Sequence, residues 1–343
     1  MNPIELRSDN AAGVAPEILA AIETANSGSA LAYGGDEWSA RLQAVAAEVF
    51  EQPELTVFPV LTGTAANAIA LSAMCPPWGA VLCHETAHIL RSEGGATSMF
   101  GAGAVMKGLP GENFLLQASS LESAFATTRW GDPHHSQPAV VSLTNPTDLG
   151  TVYPLARIAA LSQLAHEQGL LVHMDGARLA NALASLGCSP AALTWQAGVD
   201  VVTLGATKNG AMTADAIVCF NAEVAKTLTY RLKRAGQVAS KMRFQAVQLQ
   251  AYLSQGRWLT WASHANLSMQ ALVRGLKAQG ATFVVTPDAN MAFVYVSDEM
   301  ADRLQAAGLL FYRTAPGVIR LVTSFQTTPV DVEQTLVRWQ QCL

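Results

Sequence analysis

Two side chains of opposite charge stand where two predicted strands end. Asp175 closes the apolar run Leu170–Met174, and Lys208 follows the apolar run Val199–Leu204 within the segment GATKNG. In an open α/β sheet, side chains at the carboxyl ends of strands project into the ligand crevice. A lysine amine placed there can attach to an aldehyde, and a carboxylate can hold a proton on a ring nitrogen. The pair therefore has the chemistry to hold a flat heterocyclic cofactor.

Each of these two residues also has a simpler explanation. Asp175 could cap a helix that begins near Arg178, and Lys208 could be an ordinary surface lysine. The two together, each followed by small residues, favour the cofactor interpretation. They predict pyridoxal 5′-phosphate, whose ring accepts electrons when a carboxylate keeps its nitrogen protonated.

A phosphate seat is predicted where the strand-like run Leu55–Leu61 passes into a helix. The sequence there reads LTGTAANA, with Gly63 and Thr64 at the start of the helix. Free backbone N–H groups and the helix dipole favour an anion at such a position. Threonine also caps helices that bind no ligand, so the motif gains weight only beside Asp175 and Lys208.

The segment CHETAHI raises a metal alternative. Its letters match the HExxH motif, with His84 and His88 four residues apart. A zinc site of this type needs both histidines on one face of a regular helix. Here the segment directly follows a strand and is interrupted by Glu93-Gly94-Gly95. We therefore predict no metal and favour a ring-stacking role for one histidine.

Strand-like and helix-like segments alternate through the first two-thirds of the chain, which predicts a doubly wound α/β domain with a mostly parallel sheet. Near-continuous apolar runs, expected when helices cover both faces of a sheet, mark the strands Leu55–Leu61, Ala80–Cys83, Ala139–Leu143, Leu170–Met174, Val199–Leu204 and Ala216–Phe220. Amphipathic runs mark the helices Glu17–Ala25, Ala40–Phe50, Leu155–His166 and Ala222–Lys233.

The final third predicts a smaller α+β domain. A long helical pattern from about Met242 to Gln279 leads into Thr282–Val296, which resembles two strands around a Pro-Asp turn. A helix at Ser297–Ala307, a strand at Val318–Thr323 and a helix at Pro329–Gln341 follow. We therefore divide the chain into a large cofactor-binding domain with an N-terminal arm, 1–243, and a connecting helix with a small domain, 244–343.

Composition narrows the class of protein. The chain has 343 residues, of which 50% are hydrophobic. Its formal net charge is -5, and its basic residues form no stripe, so a nucleic-acid partner is not expected. Apolar stretches are interrupted before they reach membrane-spanning length, and MNPIELRSDN does not read as a signal peptide. Five dispersed cysteines without a CxxC pair suit a reduced, cytoplasmic protein acting on a small molecule.

A set of ordered motifs resembles a known enzyme family. The segments LRSDN, AYGGDEW, LTGTAANA, CHETAHI, SLTNPTDLGTVY, HMDGARLANA, TKNG and APGVIRLVTSF are similar to those of low-specificity L-threonine aldolases, over about residues 5–335. These are pyridoxal-phosphate enzymes of fold type I, the aspartate aminotransferase class. The resemblance implies cleavage of β-hydroxy-α-amino acids to glycine and an aldehyde, without a metal.

The resemblance also implies roles at matching positions of this chain. Lys208 would carry the cofactor, Asp175 would bond its ring nitrogen, and Gly63 and Thr64 would hold its phosphate with help from Arg243.

Further positions match the substrate side of the family's site. His88 corresponds to the histidine that stacks on the ring, and Ser8, Arg178 and Arg320 correspond to residues that grip the substrate carboxylate, Arg178 also lying at the cofactor. His134 corresponds to a second histidine near the substrate hydroxyl. The choice between His88 and His134 as the base stays open.

The sequence departs from the family pattern in two places near the expected substrate pocket. It reads RSEGGATS where many relatives have an Asp-Glu-Cys-Gly-Ala-Pro run, and His135 directly follows His134. Tyr33, in AYGGDEW, is expected near a subunit boundary, since the fold class implies a homodimer or homotetramer with shared active sites. A phenylserine aldolase, a β-eliminating lyase, an aminotransferase and a non-catalytic scaffold are the alternatives.

Overall fold

The computed structural model describes residues 2–343 of the chain. The strands are β1 Ile4–Glu5, β2 Thr56–Val60, β3 Gly79–His84, β4 Val105–Leu109, β5 Gly111–Glu112, β6 Leu115–Leu116, β7 Gln137–Thr144, β8 Leu171–Gly176, β9 Val201–Leu204, β10 Asp215–Cys219, β11 Met291–Tyr295, β12 Leu309–Leu310, β13 Tyr312–Ala315 and β14 Val318–Val322. The helices are α1 Pro16–Ala25, α2 Glu37–Val49, α3 Gly63–Met74, α4 His88–Arg91, α5 Ala96–Phe100, α6 Ala118–Thr127, α7 Leu155–Glu167, α8 Leu179–Leu186, α9 Pro190–Leu193, α10 Ala222–Arg234, α11 Arg243–Leu253, α12 Arg257–Ala278, α13 Asp298–Ala306 and α14 Pro329–Gln341.

The large sheet has the strand order β2-β10-β9-β8-β7-β3-β4. Strands β4, β3, β7, β8 and β9 run parallel to one another, while β10 is antiparallel to both β9 and β2. Every residue of β3, β9 and β10 is buried, and separate hydrophobic clusters lie on the two sides of the sheet. Coverage on both faces explains the near-continuous apolar runs of these strands. The predicted doubly wound, mostly parallel sheet is confirmed.

Helix α3 lies against the face of the sheet that carries Asp175. Because side chains alternate along a strand, Asp175 and His173 of β8 share that face, and Asn67 of α3 reaches it to bond Thr203 of β9. Most of α3 is buried, which its composition of alanine and other small residues permits. Its first turn, at Gly63, consequently lies at the carboxyl edge of the sheet beside the end of β8.

The C-terminal part forms a second, three-stranded sheet with the order β11-β14-β13, packed with helices α12, α13 and α14 around its own core. The predicted strand at Val318–Thr323 and helices at Ser297–Ala307 and Pro329–Gln341 are confirmed within one residue. The pair of strands predicted for Thr282–Val296 is wrong in its first half, where only Phe283 makes a single bridge, to Val294.

The long connecting helix expected between Met242 and Gln279 is broken. Helix α11 ends at Leu253, and α12 begins at Arg257 after a short turn in which Gln255 and Gly256 have φ values of 59° and 67°. A left-handed residue cannot continue a right-handed helix, so the chain must change direction there. Helix α12 keeps 22 residues and is the connecting element.

The N-terminal segment packs with the C-terminal part rather than with the large domain. Strand β1 pairs in parallel with β12, and the carbonyl of Leu6 accepts a hydrogen bond from the Val322 N–H. Ile4 and Leu6 belong to the hydrophobic core of the small domain. Residues 4–6 of the predicted arm therefore pack on the C-terminal part, and the division of the chain into 1–243 and 244–343 stays a prediction. Over residues 2–343, the structure contains no helix long and apolar enough to cross a membrane.

Candidate active site

A cavity of about 310 Å³ opens at the carboxyl edge of the large sheet. It is bounded by the ends of β8 and β9, by the first turn of α3 and by the short helix α4. Five of the residues predicted from the sequence line it together, namely Gly63, Thr64, His88, Asp175 and Lys208. Helix starts and strand ends meet at this edge, which is where open α/β sheets bind ligands.

Lys208 is held in place by the turn that carries it. This turn, Thr207–Asn209, follows β9, and the buried Asp215 accepts hydrogen bonds from the backbone N–H groups of Ala206 at 2.8 Å and Thr207 at 3.0 Å. On its other side, Asn209 donates to the Tyr252 hydroxyl at 3.0 Å. These contacts leave the lysine side chain lining the cavity on a backbone fixed from both sides.

Asp175 lies beside Lys208 at the end of the neighbouring strand. Its side chain is buried, and its Oδ1 accepts a hydrogen bond from the Ala177 N–H at 3.1 Å, which orients the carboxylate. Asp175 does not cap α8, whose N-cap residue is Arg178 and which has no side-chain cap, so its bond to Ala177 stabilises only the turn before that helix. The same carboxylate lines the cavity, as the cofactor interpretation expects.

The first turn of α3 offers backbone donors to an anion. Thr62 caps the helix by accepting from the Ala65 N–H at 3.1 Å, and the Thr62 carbonyl accepts from Ala66. The N–H groups of Gly63 and Thr64 belong to the positions that a helix cannot satisfy internally. Both residues line the cavity, so this turn can hold a phosphate.

His88 stands at the rim of the cavity as the first residue of α4. Its Nδ1 is 3.0 Å from Oε1 of Glu93, whose side chain is only 1% exposed. This hydrogen bond is the main reason that the pKa of His88 is raised, against the opposing effect of burial. His84, by contrast, ends β3 and bonds the Thr86 hydroxyl at 2.8 Å. The two histidines of HETAH therefore lie on strand β3 and helix α4, and not on one face of a single helix as the zinc motif needs.

Arg178 and Arg320 are close enough for their charges to act on each other, and Ser8 precedes Asp9, the partner of Arg178; the role of all three at the substrate carboxylate stays a prediction. Arg178 donates to Asp9 from Nε at 2.6 Å and from Nη2 at 2.9 Å, and Arg320 donates to the Arg7 carbonyl at 2.9 Å. Burial and the nearby Arg178 charge lower the pKa of Arg320. Two cationic groups held this close provide a binding place for a carboxylate.

Asp9 holds this arginine group together and was missed by the sequence reasoning. It is buried, and its Oδ2 accepts from Arg178 and also from Asn290 Nδ2 at 3.1 Å. Burial alone would raise the pKa of Asp9, but the Arg178 guanidinium outweighs it and lowers that pKa. The only available signal was its place beside Ser8 in LRSDN, which does not reveal a partner 169 positions away.

Asp148 is a second residue that the sequence reasoning missed. It lies in the loop after β7, and burial raises its pKa to about 6, opposed first by His88. Asp175 acts to raise the same pKa, whereas Arg178 and Lys208 act to lower it. Its Oδ2 is buried without a hydrogen-bond partner in residues 2–343. Asp148 therefore belongs to the electrostatic environment of the site. Its segment, SLTNPTDLGTVY, is one of the motifs noted in the sequence, but the aspartate was not singled out.

Three predicted site residues lie away from this cavity within one chain. His134 is exposed in the turn before β7, at the amino edge of the sheet, and its N–H bonds Asp132. Tyr33 lines a separate cavity of about 490 Å³, with Lys233 Nζ 4.7 Å from the centre of its ring. Arg243 starts α11 and donates to the Gly28 carbonyl at 3.1 Å. Their roles in the site stay predictions.

The residues of the first cavity fit pyridoxal phosphate. A lysine amine, a buried carboxylate and a helix start with free N–H groups face one space, and an imidazole stands at its rim. These are the groups required by an aldehyde, a protonated ring nitrogen, a phosphate and an aromatic face. The donor set therefore matches each part of the cofactor.

Comparisons with known proteins agree with this arrangement. The model of the beta-eliminating lyase family matches residues 5–299. The low specificity L-threonine aldolase of Pseudomonas aeruginosa is 40% identical over 96% of this chain and 94% of its own, and that of Escherichia coli is 25% identical over 99% of both.

Solved structures give the same picture. Threonine aldolase from Leishmania major superposes with a TM-score of 0.93 at 26% identity, covering 99% of each chain. Aspartate aminotransferase from Thermus thermophilus superposes with a TM-score of 0.71 at 19% identity, over 99% of this chain and 92% of its own, which shows the shared fold. The chain therefore belongs to the low specificity L-threonine aldolase family of beta-eliminating lyases.

Proposed function

We propose that this protein is a pyridoxal-phosphate lyase that cleaves L-threonine, L-allo-threonine and related β-hydroxy-α-amino acids to glycine and an aldehyde. The observation that carries the proposal is the convergence of Lys208, Asp175, His88 and the first turn of α3 on one cavity, with two arginines beside it. The P. aeruginosa and E. coli relatives, both called low specificity L-threonine aldolases, support the substrate class.

The chain's own residues hold the cofactor at three points. Lys208 supplies the amine to which the aldehyde attaches, and Asp175 keeps a proton on the ring nitrogen. The N–H groups of Gly63 and Thr64 bind the phosphate at the positive end of α3. Bound pyridoxal phosphate supplies a ring that accepts the electron pair released when the Cα–Cβ bond breaks.

Arg178, Arg320 and Ser8 bind the substrate carboxylate in this proposal. Asp9 occupies Nε and Nη2 of Arg178, which leaves the Nη1 side of its guanidinium for the ligand. A guanidinium held rigidly in this way orients a carboxylate better than a flexible lysine would. Orientation matters because a fixed carboxylate would determine which substituent of the substrate Cα faces His88.

His88 takes the proton from the β-hydroxyl. It lines the cavity, and its raised pKa makes it a stronger base than an ordinary histidine. Within one chain, His134 lies at the opposite edge of the sheet from the cavity that holds Lys208. It could reach such a cavity only in a second copy of the chain. This location supports His88 as the base, directly or through water.

A homodimer or homotetramer with shared active sites is part of the proposal. The exposed Tyr33 and the apolar cavity that it lines are suited to contact with a second copy. A cytoplasmic location is also proposed, supported by the five cysteines of the structure, all of which are free thiols.

The test is spectroscopic and then chemical. Purified protein reconstituted with cofactor is expected to show a band near about 420 nm, typical of this cofactor attached to lysine. Addition of L-threonine or L-allo-threonine should release acetaldehyde and glycine in equal amounts. Release of pyruvate and ammonia from other amino acids without acetaldehyde would indicate a β-eliminating lyase. Formation of a keto acid that keeps the substrate's carbon skeleton would indicate an aminotransferase, and the absence of any cofactor band would indicate a non-catalytic scaffold.

A further inference from the structure

A buried carboxylate lies behind His88 on the side away from the solvent. Oε1 of Glu93 accepts hydrogen bonds from His88 Nδ1 at 3.0 Å and from Asn67 Nδ2 at 2.8 Å. The Glu93 side chain is 1% exposed, while that of His88 is 38% exposed towards the cavity. Burying a carboxylate without a full ion pair is costly, so its position calls for an explanation.

The orientation of Asn67 fixes which groups donate in this network. Asn67 Oδ1 accepts from the Thr203 hydroxyl at 2.7 Å, so its Nδ2 is the atom that faces Glu93. Oε1 of Glu93 therefore receives one hydrogen bond from an amide and has its second acceptor position for His88. An ionised carboxylate carries no proton, so Nδ1 of His88 must be the protonated nitrogen. Nε2 remains as the acceptor.

The other oxygen of Glu93 has no comparable contact in the described part of the chain. Its Oε2 is buried without a hydrogen-bond partner among residues 2–343. Atoms of His88, Glu93 and Asp175 lie within 4.8 Å of one another, and Asp148 acts on His88 from the loop after β7. All three carboxylates favour the imidazolium form, with the Glu93 hydrogen bond as the largest effect. Arg178 and Lys208 act to lower the pKa of Asp148 against the effect of its burial, so they favour the ionised form of this carboxyl.

We propose that Glu93 is the positioning residue of the reaction, an inference that rests on the proposed function. It keeps the proton of His88 on Nδ1, points Nε2 towards the substrate and stabilises the imidazolium that forms. In the step itself, the β-hydroxyl proton moves to Nε2 and the O–H electron pair becomes the second bond of the aldehyde carbonyl. The electron pair of the Cα–Cβ bond stays with Cα, which becomes the glycine carbon and later receives the same proton.

The test uses the holoenzyme and the variants Glu93→Gln, Glu93→Asp and Glu85→Gln. The amide oxygen introduced by Glu93→Gln can still accept from Nδ1 but carries no charge, whereas aspartate restores the charge at a different distance. Glu85 is an exposed carboxylate of the same segment, so Glu85→Gln is the matched control. Histidine ¹⁵N resonances, with His88 assigned through His88→Gln, report its pKa and tautomer directly.

We expect Glu93→Gln to lower the pKa of His88, because the charged acceptor is lost. The acid limb of the kcat profile should move to lower pH, since the base loses its proton more readily. At neutral pH, kcat should fall by about ten- to a hundredfold, while KM and the cofactor band change little. Glu93→Asp should recover part of both effects, and Glu85→Gln should alter neither.

The inference is overturned if the pKa and tautomer of His88 are the same in Glu93→Gln and wild type. It is equally overturned if stability and KM change together while the pH profile stays in place, because that pattern indicates a structural role. Should Glu93→Gln lose the cofactor band, Glu93→Asp decides by the same criteria. Failure of the proposed function is separate, since wild-type protein would then release no aldehyde whatever the pKa of His88.

Discussion

The two edges of the large sheet carry similar residue types in different surroundings. At the carboxyl edge, Asp175, Lys208 and His88 line one cavity, with Glu93 buried and Asp148 half-buried close by. At the amino edge, Asp132 and His135 form an exposed pair at 3.1 Å, and His134 is exposed next to them. Histidines and carboxylates occur at both edges, and among residues 2–343 it is the carboxyl edge where a lysine, Lys208, shares a cavity with the start of helix α3.

The difference shows that strand direction, rather than residue type, creates the site. In parallel strands, all carboxyl ends lie at one edge, where the following loops and helix starts converge. Charges there are partly removed from water, and their interactions become stronger. At the amino edge, solvent screens the pair of Asp132 and His135, and such exposed pairs contribute little.

Loss of the lysine amine should produce the largest effect, and it tests most directly whether the carboxyl edge carries the chemistry. Lys208→Ala is expected to lower kcat at least about 10⁴-fold, because no other residue of the cavity supplies a primary amine. The measurement is aldehyde release together with the visible band. Lys226→Ala removes an exposed lysine paired with Glu223 and serves as the control. Full activity in Lys208→Ala would disprove the central assignment.

Asp9→Asn tests whether the buried ion pair holds the carboxylate-binding group in place. The new amide would direct its N–H groups at Arg178 and leave the guanidinium without a counter-charge. We expect the free energy of unfolding to fall by about 3 kcal/mol and KM for threonine to rise. Asp302→Asn, in an exposed pair with Arg313, should cost less than about 1 kcal/mol. Equal losses in the two variants would argue against a special role for Asp9.

His88 at the carboxyl edge and His134 at the amino edge allow the same substitution to be compared at both edges. His88→Ala should lower kcat by about a hundredfold, the usual contribution of a general base, whereas His134→Ala should lower it by less than about tenfold. The assay is threonine cleavage at saturating substrate for both variants. A larger loss in His134→Ala would mean that a second copy of the chain brings its amino edge to this cavity.

Asp148→Asn probes burial at the carboxyl edge through stability. Burial raises the pKa of Asp148 to about 6, so the folded state resists its ionisation. For an acid with a raised pKa, the stability cost is absent below the unfolded pKa and grows as pH rises towards about 6.

The variant should therefore be more stable than wild type at pH 7 and equal to it near pH 3.5. Since Asp148 is partly exposed, we expect a gain of only about 1 to 2 kcal/mol. Urea unfolding of cofactor-free protein across this pH range is the measurement. A difference between the two proteins that does not depend on pH would show that Asp148 acts by packing instead.

Elements with strong local signals were predicted well. The six buried strands of the large sheet and the terminal helix Pro329–Gln341 were found because apolar runs, proline and capping residues mark them in the sequence. The edge strand β4, Val105–Leu109, was missed because it is half exposed and carries Lys107 in its middle. Gln255 was not recognised as a helix break, since glutamine rarely adopts a left-handed conformation.

The sequence by itself determined the chemistry of this protein. Lys208, Asp175 and the threonine-rich helix start each follow a strand that its own residues specify, and the order of motifs identified the family. These signals are local, because each depends on a few neighbouring residues and on the direction of the chain.

Only the tertiary structure decided which charges act together. Asp9 contacts Arg178 and Asn290, which lie 169 and 281 positions away, and Glu93, in the turn after α4, contacts Asn67 of α3. No spacing in the chain encodes such pairs. A buried charge becomes stable only when folding brings its partners into place, so these contacts can be read only from the folded protein.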